Sequence, residues 1–391
     1  MAHKHTHSAF SAFVLACFLL ASLGVQARKG MHGEQSLLAR AEVTLTTVRQ
    51  HFATAGGQLL QEAVPAQEGQ NACSYLWGYS AMLSASCALY EAQGEKRWLR
   101  MIDRTMLPGL DHYRDTLRSP VGYASYVVDA PPSDRFYDDN IWLGIDMADL
   151  YARTHKSAYL KRAEEIWHFV MSGRDDALGG GIYWCEQKRE SKNACSNAPA
   201  SVFALKMYCA TNDLRYLDAG KALYGWTRTH LLDEADGLIS DNIRLDGRID
   251  RTKYAYNTGQ MVQAAAMLYS ISGEEHYLGE AQAMARAAYN AFFADKQCAD
   301  GLRRLRGGDP WFDAVMLRGY IALFALDHNP LYLRAMRASV DEAWSTDASR
   351  DEGGLFGRYY DAREKDRPKT LLVQAAMIEM MARLAAVEDD I

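Results

Sequence analysis

The chain has 391 residues, 49% of them hydrophobic and 24% charged, with a formal charge of −6. That apolar content excludes a self-solvating disordered chain, and 29 Gly with 9 Pro exclude a collagenous or low-complexity one. The negative balance argues against a nucleic-acid partner, which calls for a basic patch. Rings are abundant, at 22 Tyr, 8 Trp and 12 Phe, so they must either fill a core or line a binding surface.

Residues 1–27 open with His3, Lys4, His5 and His7, continue through an apolar run at 9–20, and end in Val25-Gln26-Ala27. This is the layout of a secretory signal peptide cleaved after Ala27, leaving 28–391 as one mature unit. A lipoprotein attached through Cys17 is the alternative, although apolar residues continue past that cysteine. A secreted or periplasmic protein is expected, with no integral membrane segment once the signal is removed, because no later apolar run is long enough to span. Six cysteines remain: Cys73, Cys87, Cys185, Cys195, Cys209 and Cys298. An exported chain can form disulfides, and Cys185 with Cys195, in a loop-like stretch, is the candidate pair. Cys73 and Cys87 lie on one predicted helix, about 20 Å apart at 1.5 Å per residue, beyond disulfide reach. No Cys/His set has zinc-like spacing, so neither metal nor cofactor is expected.

A Trp-Leu or Tyr-Leu pair after a short polar turn recurs at Trp98-Leu99, Tyr159-Leu160, Tyr216-Leu217, Tyr277-Leu278 and Tyr332-Leu333, with spacings of 61, 57, 61 and 55. Before the pairs, or after the last, lie apolar helical runs at 74–92, 139–154, 200–211, 258–273, 311–326 and 370–387. Apolar on most faces, these should be buried. A more amphipathic helix begins after each pair, and another precedes the first buried run at about 36–52. Six buried helices alternating with six amphipathic ones predict an all-α (α/α)6 toroid of six hairpins, the first extended at its N-terminus. The period is too long for a 34-residue tetratricopeptide solenoid.

If the six inner helices start on one face, their leading segments converge there. These hold Tyr75, Trp77, Tyr137, Trp142, Tyr183, Trp184, Tyr256 and Trp311 among short polar side chains. Rings beside amides and carboxylates suit a carbohydrate, whose CH faces stack and whose hydroxyls need partners. About half of these rings are expected to be ordinary core.

Asp138-Asp139 is the sharpest feature. Glycosidic hydrolysis with retention needs two carboxyl groups of different protonation. At a helix N-terminus the dipole favours an ionised carboxylate, and close like charge raises the neighbour's pKa. A plain N-cap is the competing reading. Asp175-Asp176, ahead of Gly179-Gly180-Gly181, reads as turn chemistry, and Glu186 is a further unassigned carboxylate in a cleft-facing segment.

The run FYDDNIWLGIDMADLY (136–151) resembles the signature of glycoside hydrolase family 76, the endo-α-1,6-mannanases and their relatives. The segments at 179–200, 236–247 and 254–269 resemble that family's later blocks in the same order, so the likeness spans roughly 70–380. The resemblance implies an (α/α)6 barrel and a retaining mechanism, with Asp138 as nucleophile and Asp139 as acid/base. It also implies that Asn197, Tyr256 and Asn257 border the sugar groove. Trp77, Tyr137, Trp142 and Trp184 complete the candidate binding set. Where many members carry a second aromatic, Trp142 is followed here by Leu143-Gly144. The expected partner is α-mannan or a mannose-containing oligosaccharide.

Other classes share parts of this pattern. A transglycosylase acting on mannan or mannose-containing anchors would use the same site, and a non-catalytic mannan-binding protein would keep the groove. A sugar 2-epimerase on this barrel would need an acid/base histidine. His112, His155, His168, His230, His276 and His328 all fall outside the leading segments, which counts against it.

Overall fold

In a computed structural model of the chain, residues 36–346, 350, 354–357 and 367–391 are described. The signal segment and Cys17 lie outside the described residues.

Apolar Ala, Leu and Met runs form six buried helices: α2 (Leu76–Gln93), α5 (Tyr137–Thr154), α7 (Ala194–Thr211), α9 (Ala255–Ser272), α11 (Pro310–Asp327) and α13 (Leu371–Ala385). Their partners are α1 (Leu37–His51), α3 (Lys96–Met101) with α4 (Leu107–Leu110), α6 (Ser157–Ser172), α8 (Leu214–Leu231), α10 (Glu275–Phe292) and α12 (Leu331–Ser345). A π-helical turn at Ile102–Met106 joins α3 to α4. Each buried helix packs against the next, and α13 packs back on α2, so the inner ring closes. The fold is the (α/α)6 toroid expected from the repeat. Among the described residues no helix is long and apolar enough to cross a membrane.

The ring closes differently from the sequence expectation. Helix α1 packs on α13, the last inner helix, so the N-terminal helix completes the sixth hairpin instead of extending the first. Antiparallel pairing of Ala63–Val64 with Lys369–Thr370 ties the two ends together. Neither half of that hairpin can bury its apolar face without the other, which is a long-range requirement invisible to local spacing.

Five inner helices end on a left-handed residue: Gly94, His155, Asn212, Gly273 and His328. This cap stops the helix and turns the chain into the outer layer within a few residues. Two of the histidines thus have a backbone role. Helices α9 and α11 touch through glycine. A Cβ on Gly319 would sit 2.2 Å from the Gly259 carbonyl oxygen, and one on Gly259 would sit 2.4 Å from Met316 Cα.

The longer outer-to-inner connections gather at one end. There β1 (Ser191–Asn193), β2 (Leu232–Asp233), β3 (Leu238–Arg244) and β4 (Ile249–Lys253) form a small antiparallel sheet in which β3 pairs with the other three. Midway along the inner helices lies a buried charge layer. Arg318 forms a two-pronged ion pair with Glu379 at 2.7 and 2.9 Å. Arg383 bridges Glu379 and Glu91, and Ser84 donates to Asp146 at 2.7 Å.

Candidate active site

The six inner helices share a register that builds the site. The second residue of each is Trp77, Asp138, Cys195, Tyr256, Trp311 and Leu372. Contacts confirm that these positions face one another around the mouth. Trp77 meets Trp311 edge-on at 5.4 Å, Trp311 meets Tyr256 at 5.9 Å, and Asp138 and Tyr256 both act on the Cys195 thiol electrostatically. The third position supplies Asp139, Ser196, Asn257 and Phe312, and Phe312 stacks on Tyr256 at 4.4 Å. One turn deeper, Trp142 meets Trp311 edge-on at 5.1 Å, and the Arg318 guanidinium faces its ring at 5.7 Å. Trp142 is therefore the floor, and only 3% of it is exposed.

The fourth position does something else. Asn140 accepts from Tyr123 N at 2.7 Å and donates to the Tyr123 and Phe136 carbonyls. Asn197 repeats this on Ile182 and Asn193, and Gln374 repeats it on Phe356 and Thr370. Each amide clamps the leading segment onto the first turn, satisfying backbone groups that burial would otherwise leave unpaired. This corrects the expectation for Asn197. Its side chain is wholly buried and spent on backbone, so it orders the cleft wall and does not face the sugar groove.

Tyr137 is the second correction. Its ring stacks on Phe169 at 4.9 Å between the helix layers and is fully buried. Neighbouring helical residues diverge by about 100°, so aiming Asp138 at the mouth turns Tyr137 outward. The chain before the helix is held by Tyr137 N donating to the Trp184 carbonyl at 2.9 Å.

Of the remaining candidates, Trp184 is 40% exposed, packs on Phe136 at 4.8 Å, and donates from Nε1 to Asp138 Oδ2 at 3.1 Å. Asn257 is fully buried, and neither amide atom completes a regular hydrogen bond. Burial raises the nearby Asp241 carboxyl, and Asn257 opposes part of that rise. Glu186 forms a two-pronged pair with the buried Arg135 at 2.7 and 2.5 Å. Against the effect of burial, Arg135 holds Glu186 below the usual carboxylate range, so it is a structural anion. Asp175 accepts from Ala177 N, Tyr183 Oη and the buried Lys192 Nζ, which fixes it as turn chemistry. Cys185 and Cys195 are both free thiols and buried, so the candidate disulfide is not formed.

Two residues at the mouth were not given a place in the site from sequence: Cys195, read there only as a disulfide partner, and Asp241 on β3, whose charge acts on Cys195 and Tyr256. The shared second position of the inner helices was the signal that could have found Cys195.

The two aspartates differ in protonation. Burial pushes Asp138 up to about 6, with Cys195, Trp184 and backbone N–H groups pulling the other way. Asp139 is raised well above the usual range, first by burial and then by the charge of Asp138. Asp138 therefore gives up its proton near pH 6, and Asp139 holds its own more strongly than an ordinary carboxyl. The pair can supply an attacking carboxylate and a proton donor to one substrate.

The family model for glycosyl hydrolase family 76 matches residues 36–390. The chain belongs to glycoside hydrolase family 76. This family-76 protein is a glycoside hydrolase by that membership. A family-76 mannosidase, Bt3792 from Bacteroides thetaiotaomicron VPI-5482, shares 31% identity over 90% of this chain and 99% of that one, with a TM-score of 0.84. The α-1,6-mannanase GH76A from Salegentibacter sp. HEL1_6 shares 25% over 90% of this chain and 99% of that one, with a TM-score of 0.73. An inactive variant of GH76A, with two adjacent aspartates replaced, was solved with α-1,6-mannotetrose, at 24% identity, 90% and 99% coverage and a TM-score of 0.74. Curated proteins yield no match to this family-76 chain.

Proposed function

We propose that this family-76 enzyme is an exported retaining α-1,6-mannanase, with Asp138 as nucleophile and Asp139 as acid/base. The observation that carries the reading is one pair of buried, adjacent carboxyls, both raised and Asp139 further by the charge of Asp138, under a ring of aromatic side chains. Relatives described as a mannosidase and an α-1,6-mannanase support mannan as the substrate.

Asp138 attacks the anomeric carbon while Asp139 protonates the departing glycosidic oxygen, giving a covalent mannosyl-enzyme. Asp139, now a carboxylate, takes a proton from water, which displaces Asp138 and restores both groups. The N-terminus of α5 stabilises negative charge on Asp138 in the resting state, and Trp184 Nε1 holds one of its oxygens. Trp77, Trp184 and Tyr256 are the rings we assign to the sugar faces, with Trp142 and Trp311 beneath them. Export rests on residues 1–27, with the mature enzyme starting after Ala27.

The test is digestion of α-1,6-mannan by wild type, Asp138→Asn and Asp139→Asn. Wild type should release mannooligosaccharides with the α-anomer formed first, and both variants should lose about 10³-fold or more in rate. Full activity in either variant, or release of the β-anomer, overturns the mechanism.

A further inference from the structure

Asp138 has two carboxyl oxygens with unlike surroundings. Oδ2 accepts from Trp184, whereas buried Oδ1 completes no regular hydrogen bond, and besides Trp184 only the first-turn backbone N–H groups of Asp138 and Asp139 and the Cys195 thiol act on the carboxyl. A carboxylate oxygen left bare in a buried site is costly. The residue beside it is Cys195, which is 3% exposed. Asp138, Cys195 and Tyr256 occupy the second position of three consecutive inner helices, α5, α7 and α9. Those helices are neighbours in the closed ring, so the shared register places the thiol between the other two side chains. The charge of Asp138 acts on the thiol, and the thiol and the Tyr256 hydroxyl act on each other.

We propose that Cys195 is a positioning residue for the nucleophile: its S–H donates to Asp138 while Tyr256 Oη donates to its sulfur. The thiol suits this place for a chemical reason. Burial, and then the charges of Asp138 and Asp241, keep it protonated, so it stays a donor throughout the working pH range. It is also a weak donor. A strong donor would hold the carboxylate too tightly to leave for the anomeric carbon, whereas a thiol aligns it at little cost in nucleophilicity. The titratable groups facing Cys195 are Asp138 on α5, Tyr256 on α9 and Asp241 on β3, with Asp139 next to Asp138.

The inference rests on Asp138 being the nucleophile, and the experiment separates the two. The first measurement needs no substrate. The isolated S–H stretching band of Cys195, identified by its absence from Cys195→Ala, is followed by infrared spectroscopy as pH falls through the titration of Asp138. It should move as the acceptor loses its charge, and Asp138→Asn should abolish that movement. The second is kinetics on α-1,6-mannan. Cys195→Ala should lower kcat about fivefold, the loss expected for removing a weak donor from a charged acceptor, with KM unchanged. Because that donor favours the charged form, its removal should also move the acid limb of kcat/KM to higher pH. Cys195→Ser, which keeps a donor but a stronger one, should return the acid limb to its wild-type pH or below it and recover kcat only in part. A band indifferent to pH overturns the proposal, as does a Cys195→Ala variant with the wild-type acid limb and kcat. Equal losses in the Ala and Ser variants at an unchanged limb would reduce Cys195 to packing. If the band titrates with Asp138 but wild type leaves mannan intact, the positioning role stands and the mannanase reading falls.

Discussion

The indole Nε1 of Trp184 donates to Asp138 Oδ2 at 3.1 Å, although the ring is 40% exposed. A residue that sequence reasoning gave to the sugar therefore also touches the carboxylate that would attack it. Trp184→Phe keeps the ring face and removes only the donor. It should lower kcat about ten- to hundredfold, the usual cost of one hydrogen bond to a charged group. The acid limb of kcat/KM should move to higher pH, because the lost bond favoured the ionised form. A larger loss in KM than in kcat would show that the ring matters only for binding.

The protonation difference between the aspartates predicts a bell-shaped kcat/KM profile. The acid limb should fall near pH 6, where Asp138 gains its proton, and the alkaline limb higher, where Asp139 loses its own. In Asp139→Asn the alkaline limb should vanish while the acid limb stays, measured on an aryl mannoside whose leaving group needs no proton. Persistence of the alkaline limb would assign it to another group.

Asn197 separates scaffold from binding site. Asn197→Ala strips partners from Ile182 and Asn193 backbone groups that are buried. Stability should fall by about 1–3 kcal/mol, read as a lower urea midpoint. KM for mannan should stay near the wild-type value in the folded fraction. A tenfold rise in KM without loss of stability would return Asn197 to the sugar groove.

Asp146 offers a stability test. Burial raises it to about 7, against the pull of Arg318 and Ser84. The folded pKa lies above the unfolded one. Stability is therefore fully present below the ordinary carboxylate range and is lost as pH rises towards about 7. Asp146→Asn removes that dependence. The variant should gain on the order of 1–3 kcal/mol relative to wild type between pH 4 and pH 8, measured by chemical denaturation at both. An unchanged difference across that range would show that the charge layer compensates Asp146 fully.

Gly319→Ala tests the contact between α9 and α11. The added Cβ would fall 2.2 Å from the Gly259 carbonyl oxygen, which is backbone and cannot swing away. A loss of about 1–3 kcal/mol is expected from overpacking, with the melting temperature as readout.

The toroid was legible because its cause is repetitive and local. Each hairpin repeats a buried helix, a polar turn and an aromatic-Leu pair at a nearly constant period, and burial of one face follows from apolar composition alone. The aspartate pair was legible as well, since an Asp-Asp at a helix start carries its chemistry in adjacent residues. The orientation of Tyr137 and Asn197 was not. Both stand within four residues of Asp138 or Cys195, yet one packs between layers and the other clamps backbone. Helix phase, set by where the first turn begins, decides which side chain meets the axis.

By itself, then, the amino-acid sequence determined the number of hairpins, the burial of six helices and the presence of two adjacent carboxyls at a helix start. Tertiary structure decided what those carboxyls touch. It brought Trp184 and Cys195 to Asp138 from segments some 50 residues away, and locked Glu186 onto Arg135 as a structural ion. It also joined the N-terminal helix to the last inner one. The physical reason is range. Periodicity and composition report on neighbours along the chain, whereas protonation, alignment and ring closure depend on groups that meet only when all six inner helices start at one mouth.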